Sequence, residues 1–301
     1  MPEHPDGSTV MQVPPTGLRW SDDQGPAAAL RAVVEAAAAE DGATPLDEAA
    51  LLSLRHGLGA SSLWTAGADG FAWRHDGAVD LAVAPGARGR GLGTALATSA
   101  TKAPGPLTAW SHGNHPAAAA LADHLGFHRV RDLWVMRRPL SDLPAPAAAA
   151  DGIDIRTFRV GQDEDAWLEV NAEAFAHHPE QGATTRADLD ERMAQPWFDP
   201  SGFFVATRGD QVVGFHWTKV HGSRVTDGAY GEVYVLGVSP SAQGSGLGRR
   251  LTLTGLEHLA SLGLGEVILY VEADNAPAVK VYERLGFTHA PADTHVQYAR
   301  R

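Results

Sequence analysis

Two short stretches of this sequence have the residue types needed to hold an anion on backbone amides. Arg88-Gly89-Arg90-Gly91-Leu92-Gly93-Thr94 follows Leu81-Ala82-Val83-Ala84-Pro85, and Gln243-Gly244-Ser245-Gly246-Leu247-Gly248-Arg249 follows Val235-Leu236-Gly237-Val238-Ser239-Pro240. Each reads as an apolar strand, a proline that stops it, a glycine-rich turn and a helix. The start of a helix leaves backbone N–H groups without intrahelical partners, its dipole favours negative charge, and small residues let a pyrophosphate come close. A single Gly-x-Gly is usually an ordinary turn. The dinucleotide fingerprint needs a third glycine, with an acidic residue about 20 positions on, and neither turn has a third glycine at that spacing. No Gly-Lys-Ser/Thr follows either turn, so a P-loop is excluded.

The repeat extends further. Asn114-His115-Pro116 leads to Leu125-Gly126-Phe127, as Asn275-Ala276-Pro277 leads to Leu285-Gly286-Phe287. The chain reads as a duplicated anion-binding domain. Its 301 residues suit two domains of about 150 residues, each able to bury a core. The formal net charge of −12, with no basic stripe to offset it, argues against a nucleic-acid or anionic-membrane partner. An anionic ligand then depends on local amides and a few cations. There is no cysteine, which excludes disulfides, thiolate nucleophiles and cysteine metal sites. No apolar run approaches the roughly 20 residues of a membrane span, and the start of the chain lacks signal-peptide character. A cytoplasmic monomer is expected.

The turns need elements to position them. Residues 1–17 read as a polar, proline-rich tail, and Gly25–Glu40 and Asp47–Leu54 as helices. Leu63–Thr65, Gly70–Arg74 and Val79–Ala84 read as strands, followed by a helix from Gly93 to Ser99, a strand at Leu107–Trp110, a helix at Pro116–Leu125 and a strand at Asp132–Arg137. Residues 141–151, rich in Pro and Ala, read as a linker between domains 1–140 and 152–301. The second half repeats the order, with strands at Ile153–Phe158, Phe203–Thr207, Gln211–Lys219, Gly231–Val238, Glu266–Glu272 and near Gln297–Ala299. Helices fall at Glu164–Phe175, Leu189–Ala194, Gly248–Ser261 and Pro277–Leu285. The expected class is α/β, two tandem domains, each a mixed sheet flanked by helices.

Arg/Gln-x-x-Gly-x-Gly after a Val-x-Pro strand end, with Asn-x-Pro-Ala and Leu-Gly-Phe downstream, resembles the GCN5-related N-acetyltransferases over nearly the whole chain. The second half is similar, more narrowly, to tandem-domain members from actinobacteria that acetylate the cysteinyl amine of a glucosaminyl-inositol pseudodisaccharide. Phe175-Ala176-His177-His178-Pro179-Glu180-Gln181-Gly182, Trp197-Phe198-Asp199-Pro200, Gly214-Phe215-His216-Trp217-Thr218-Lys219, Gly231-Glu232-Val233-Tyr234 and Leu269-Tyr270-Val271-Glu272-Ala273-Asp274-Asn275 carry that likeness.

The resemblance implies acetyl-CoA as co-substrate, without a metal. It implies that Gln243, Gly244, Ser245, Gly246, Leu247, Gly248 and Arg249 hold the pyrophosphate. Leu236, Gly237 and Val238 would take the pantetheine arm, with Asn275, Ala276, Pro277, Ala278, Val279 and Lys280 alongside. Leu81, Ala82, Val83, Gly89, Arg90, Gly91, Leu92, Gly93 and Thr94 would form the counterpart in the first half. Acetyl transfer to an amine needs the amine neutral, and a terminal amine titrates at about 7.7–8.0, so a modest base suffices. Glu232 is the implied base, and Tyr282, seven residues after Asn275, the implied acid that protonates the leaving thiolate. The Leu236 N–H would stabilise the oxyanion. Glu48, Glu180, Lys219, Glu232 and Tyr270 are the implied substrate contacts.

Each assignment has a plainer counterpart. Glu232 as a solvated edge carboxylate, Tyr282 as a packed core aromatic and Glu48 as a carboxylate in the first turn of a helix stay open. His177 and His178 do not share a helix face, and the sequence offers them no companion at metal spacing. Trp64, Trp73 and Trp110 read as core. In the first half, counting back from Pro85 as from Pro240 puts Gly77 in the place of Glu232, and Leu121 or Ala122 in that of Tyr282. That half therefore reads as structural or CoA-binding. Open functional alternatives are a tandem acetyltransferase for another small amine or a peptide N-terminus, and a non-catalytic acyl-CoA-binding protein.

Overall fold

The computed structural model describes residues 9–14, 20–22, 24–56, 61–145, 152–177, 181–222 and 228–301. The chain forms two compact units. The first comprises Met1–Trp134, Glu272–Asp274 and Ala290–Arg301, and the second Val135–Val271 and Asn275–His289. A single cut at the Pro/Ala-rich segment does not describe them: residues 135–140 belong to the second unit and 290–301 to the first. Residues 146–151 of that segment lie outside the described residues.

The first unit contains strands β1 (Met11–Val13), β2 (Ser62–Thr65), β3 (Gly70–His75), β4 (Ala78–Val83) and β5 (Leu107–Ser111), and helices α1 (Gly25–Asp41), α2 (Glu48–His56), α3 (Leu92–Thr101) and α4 (Pro116–His124). Strand β6 (His128–Pro139) begins in it and continues into the second unit. Its sheet runs β1-β2-β3-β4-β5 and is completed by β12 (Thr288–Arg300), which lies antiparallel to β5 with Tyr298 opposite Ala109. The expected tail thus contributes a strand, with Met11 opposite Thr65. The strand expected near Gln297 is far longer than Gln297–Ala299. Alternation sorts the side chains: Phe71 and Trp73 pack with Leu30 and Val33 of α1, while Ala72 packs with Leu96 of α3 on the other face. Each fully buried Leu or Val contributes roughly 1.5–3 kcal/mol. Pro26 starts α1 and Gly42, at φ +70°, ends it.

The second unit holds β7 (Asp154–Thr157), β8 (Phe203–Arg208), β9 (Gln211–His221), β10 (Tyr230–Val238) and β11 (Glu266–Glu272), with α5 (Glu164–Ala174), α6 (Arg186–Met193), α7 (Leu247–Ser261) and α8 (Ala276–Arg284). The sheet order is β6-β11-β10-β9-β8-β7. One face is an aromatic core: Trp217 stacks on Phe203 at 4.5 Å, and Trp167 meets both edge-on. The other face packs Val213 and Ala206 on Leu247 and Leu251 of α7.

Candidate active site

Both glycine turns are where the sequence places them. After β10 a short helical turn, Pro240–Ala242, leads to Gly244 and Gly246 at φ +76° and +79°, and α7 begins at Leu247. An L side chain is strained at such φ, which is why glycine stands there. The Gln243 side chain braces the turn by donating to the Val238 carbonyl at 3.3 Å, and the Ser245 hydroxyl donates to the Ala242 carbonyl. Residues 243–246 are exposed, and Gly248 has open space at its Cα apart from Val238 Cγ2 at 3.9 Å. Arg249 is partly buried, whereas Leu247 lies in the core and can offer a ligand only its backbone. The turn thus sets glycines at the N-terminus of α7, an arrangement that could hold an anion on backbone amides.

The first unit has the same device. Gly89 and Gly91 sit at φ +75° and +82° ahead of α3. Arg88 braces this turn as Gln243 braces the other, donating to the Val83 carbonyl at 3.0 Å and forming a bidentate pair with Asp41 at 2.7 and 2.8 Å. A cavity of about 510 Å³ opens between the turn, the β4 segment Leu81–Val83 and α4. Of the residues expected there, Gly89 and Gly91 to Thr94 line it, while Arg90 folds back to donate to the Gly86 carbonyl. Tyr298 of β12 also lines it.

Strand separation creates room beside each turn. In the second unit the parallel ladder pairs Gly231, Glu232 and Val233 with Val267, Ile268 and Leu269, yet β10 continues to Val238. In the first, β4 pairs with β5 only at Ala78 and Thr108 among the described residues. Leu236 and Val238 therefore lie on the stretch of β10 beyond that ladder. Gly237 is demanded by the core, since a Cβ there would meet Phe215 Cε1 at 2.7 Å. Across the opening, Asn275 caps α8 by accepting from the Ala278 N–H at 3.2 Å. Ala276, Pro277 and Lys280 are exposed, Ala278 is half-buried, and Val279 points into the core.

A β-bulge shapes the acceptor side. Val233 faces Thr218 and Val235 faces Trp217, so Tyr234 is an extra residue in β10. The ladder of β4 and β3 has no such shift: His75 pairs with Ala78 as Lys219 pairs with Glu232. The counterpart of Glu232 is thus Ala78 rather than Gly77, because counting along the sequence overlooks the bulge. Glu232 is 5% exposed and lies directly opposite Lys219, itself buried. The Lys219 ammonium rests over Trp197 at 4.3 Å and Tyr234 at 4.9 Å, and Arg192 donates to the Tyr234 hydroxyl. Tyr270 is exposed, on the β11 face shared with Ile268, the parallel partner of Glu232.

Tyr282 lies on α8 beside Phe287, and burial pushes its phenol up to about 12. Glu48 opens α2 in the first unit, where a carboxylate is favoured by the helix dipole. Glu180 and His178 lie outside the described residues. Sequence reasoning gave Trp197, Tyr234 and His221 no role. His221, two residues beyond Lys219 and so on the same strand face, contacts Glu232 Oε2 through Nε2 at 2.5 Å. That spacing was the available signal. Among the described residues no cluster of three or more His, Asp or Glu is placed to hold a metal ion, and no helix is long and apolar enough to cross a membrane.

The profile of the Acetyltransferase (GNAT) family matches residues 166–287. The mycothiol acetyltransferase of Nocardioides sp. is 54% identical over 91% of this chain and 97% of its own length. That of Catenulispora acidiphila is 49% identical over 90% and 94%. The chain belongs to the mycothiol acetyltransferase family. Members are GNAT enzymes, and this chain is an acetyl-CoA-dependent acetyltransferase. The fold agrees: a tandem GNAT protein from the clavulanic acid biosynthesis pathway superposes with a TM-score of 0.70 at 21% identity, covering 97% of this chain and 98% of that one. A GCN5-related N-acetyltransferase from Sphaerobacter thermophilus gives 0.67 at 25% identity, covering 92% and 93%. The mycothiol acetyltransferase likeness spans both units, whereas the GNAT profile falls in the second apart from Glu272–Asp274.

Proposed function

We propose that this chain acetylates the cysteinyl amine of desacetylmycothiol, a glucosaminyl-inositol carrying an amide-linked cysteine, giving mycothiol and CoA. The observation that carries the reading is Glu232. This buried carboxylate lies opposite Lys219 and just before the end of the parallel ladder, in a chain about half identical to enzymes named mycothiol acetyltransferase.

Acetyl-CoA supplies an acetyl thioester. The amides of Gln243 to Arg249 hold its pyrophosphate, those of Leu236 and Val238 align its arm, and the Leu236 N–H serves the developing oxyanion. Glu232 takes the proton that the amine must lose, directly or through one water. Tyr282, kept protonated by burial, gives its proton to the leaving sulfur. Lys219, Tyr270 and Glu180 hold the sugar and inositol, so orientation selects the amine over a thiol of ordinary pKa about 8.5. The first unit has Ala78 in the place of Glu232, so it binds CoA or supports the fold without moving protons.

The test is purified protein with acetyl-CoA and desacetylmycothiol, read by mass spectrometry. N-acetylated product and stoichiometric CoA are expected. Absence of CoA release, or an S-acetyl species as the first product, overturns the reading.

A further inference from the structure

We infer that His221 is a positioning residue for the acetyl transfer, holding Glu232 by Oε2 and leaving Oε1 as the oxygen that receives the amine proton. The inference rests on the reading of Glu232 as the base.

The antiparallel register sets Tyr230 opposite His221 and Glu232 opposite Lys219, so His221 reaches Glu232 on the diagonal of the ladder. His221 Nε2 lies 2.5 Å from Glu232 Oε2. A carboxylate accepts, so the Nε2–H donates. The imidazole is itself held: it stacks on the Tyr230 ring at 4.7 Å with planes 13° apart. The histidine side chain is 29% exposed and the carboxylate 7%. A buried carboxylate is thus satisfied on one oxygen by a ring that is fixed in place and reaches solvent. The hydrogen bond to Oε2 sets the orientation of the carboxyl plane, and with it the direction in which Oε1 faces. Among the described residues, the charged and titratable groups near the pair are Lys219 on β9, Tyr230 on β10, and, coupled to Tyr230, Arg137 and Glu266 on the neighbouring β6 and β11. Arg137 and Glu266 pair with each other at 2.8 Å. Tyr230, raised by burial and then by Glu232, stays a neutral phenol.

The test compares wild type, His221→Ala, His221→Gln and Glu232→Gln. With His221→Ala, kcat should fall about ten-fold or more, as follows from losing the hydrogen bond that orients the carboxyl group. The KM for acetyl-CoA should stay within about two-fold, since that site is the turn at 243–249. His221→Gln keeps a donor and should restore most of the rate. A kcat near wild type in His221→Ala, or no rescue by Gln, overturns the inference. Nitrogen-15 chemical shifts of the wild-type imidazole give a second readout that needs no variant to fold. A protonated Nε2 supports the assignment, and a ring with its proton on Nδ1 alone overturns it. Glu232→Gln separates the two ideas. If it keeps the wild-type rate, the reading of Glu232 as base is wrong. If it loses that rate while His221→Ala does not change, only the role of His221 falls.

Discussion

Tyr282 and Phe287 meet edge to face, their ring centroids 5.7 Å apart and their planes at 66°. The contact fixes the tyrosine ring on α8, and burial holds its phenol protonated up to about pH 12. Tyr282→Phe keeps the ring contact and removes only the proton. It should lower kcat by about 10²–10⁴-fold with little change in Tm or in the KM for acetyl-CoA, as expected when a general acid is lost. Steady-state kinetics beside thermal melts decide this: a kcat near wild type removes the tyrosine from the chemistry.

Gly246 and Gly248 answer different questions. Gly246 is left-handed, so Gly246→Ala should cost about 1–2 kcal/mol of stability through backbone strain. Gly248 is not, and a Cβ there touches nothing closer than 3.9 Å. Gly248→Ala should leave the melting temperature in place and still raise the KM for acetyl-CoA, because the methyl stands at the turn proposed to hold the pyrophosphate. Denaturation and kinetics measured on both variants separate strain from obstruction.

The rings under Lys219 predict a substrate effect without a cofactor effect. Trp197→Ala removes one of the two faces on which the ammonium rests. A loss of about 0.5–2 kcal/mol, or roughly 2–30-fold in the KM for the amine substrate, is expected. The KM for acetyl-CoA should not follow, and parallel rises in both would place Trp197 in the fold rather than the site.

A buried imidazole ties stability to pH. His216 donates from Nδ1 to the Leu251 carbonyl at 2.7 Å, its Nε2 has no partner, and burial lowers its pKa to about 4. The unfolded chain takes up this proton below about pH 6.5, the folded chain only near 4. The contribution is present in full above 6.5 and is lost as pH falls through that window, amounting to about 3 kcal/mol. His216→Gln should flatten the slope of urea stability between pH 4 and 6.5. His112 and His295, both lowered to about 4, keep part of the slope in the variant.

Much of the site was legible because backbone geometry restricts which residues can stand there. The two turns need glycine at positive φ, and Gly89, Gly91, Gly244 and Gly246 all have it. Asn275 was visible for a similar reason, since its side chain closes the start of α8. What escaped depends on pairing between distant segments. The extra residue Tyr234 shifts the count by one and moves the counterpart of Glu232 from Gly77 to Ala78. The histidine at Glu232 comes from another strand, and its partner lies eleven positions away in the chain. The exchange of residues 135–140 and 290–301 between units leaves no trace in composition or spacing.

That exchange orders events during synthesis. Val296 and Tyr298 of β12 fill the core beside α3, and the strand pairs with β5 along Val296–Arg300. The ribosome makes β5 long before β12, and a growing domain usually folds as it emerges. Here the first unit must wait, its β5 edge lacking that partner, until nearly all of the second has been translated. An exposed strand edge invites pairing with another chain. The first unit is therefore the one whose nascent form most needs shelter from its neighbours on the polysome.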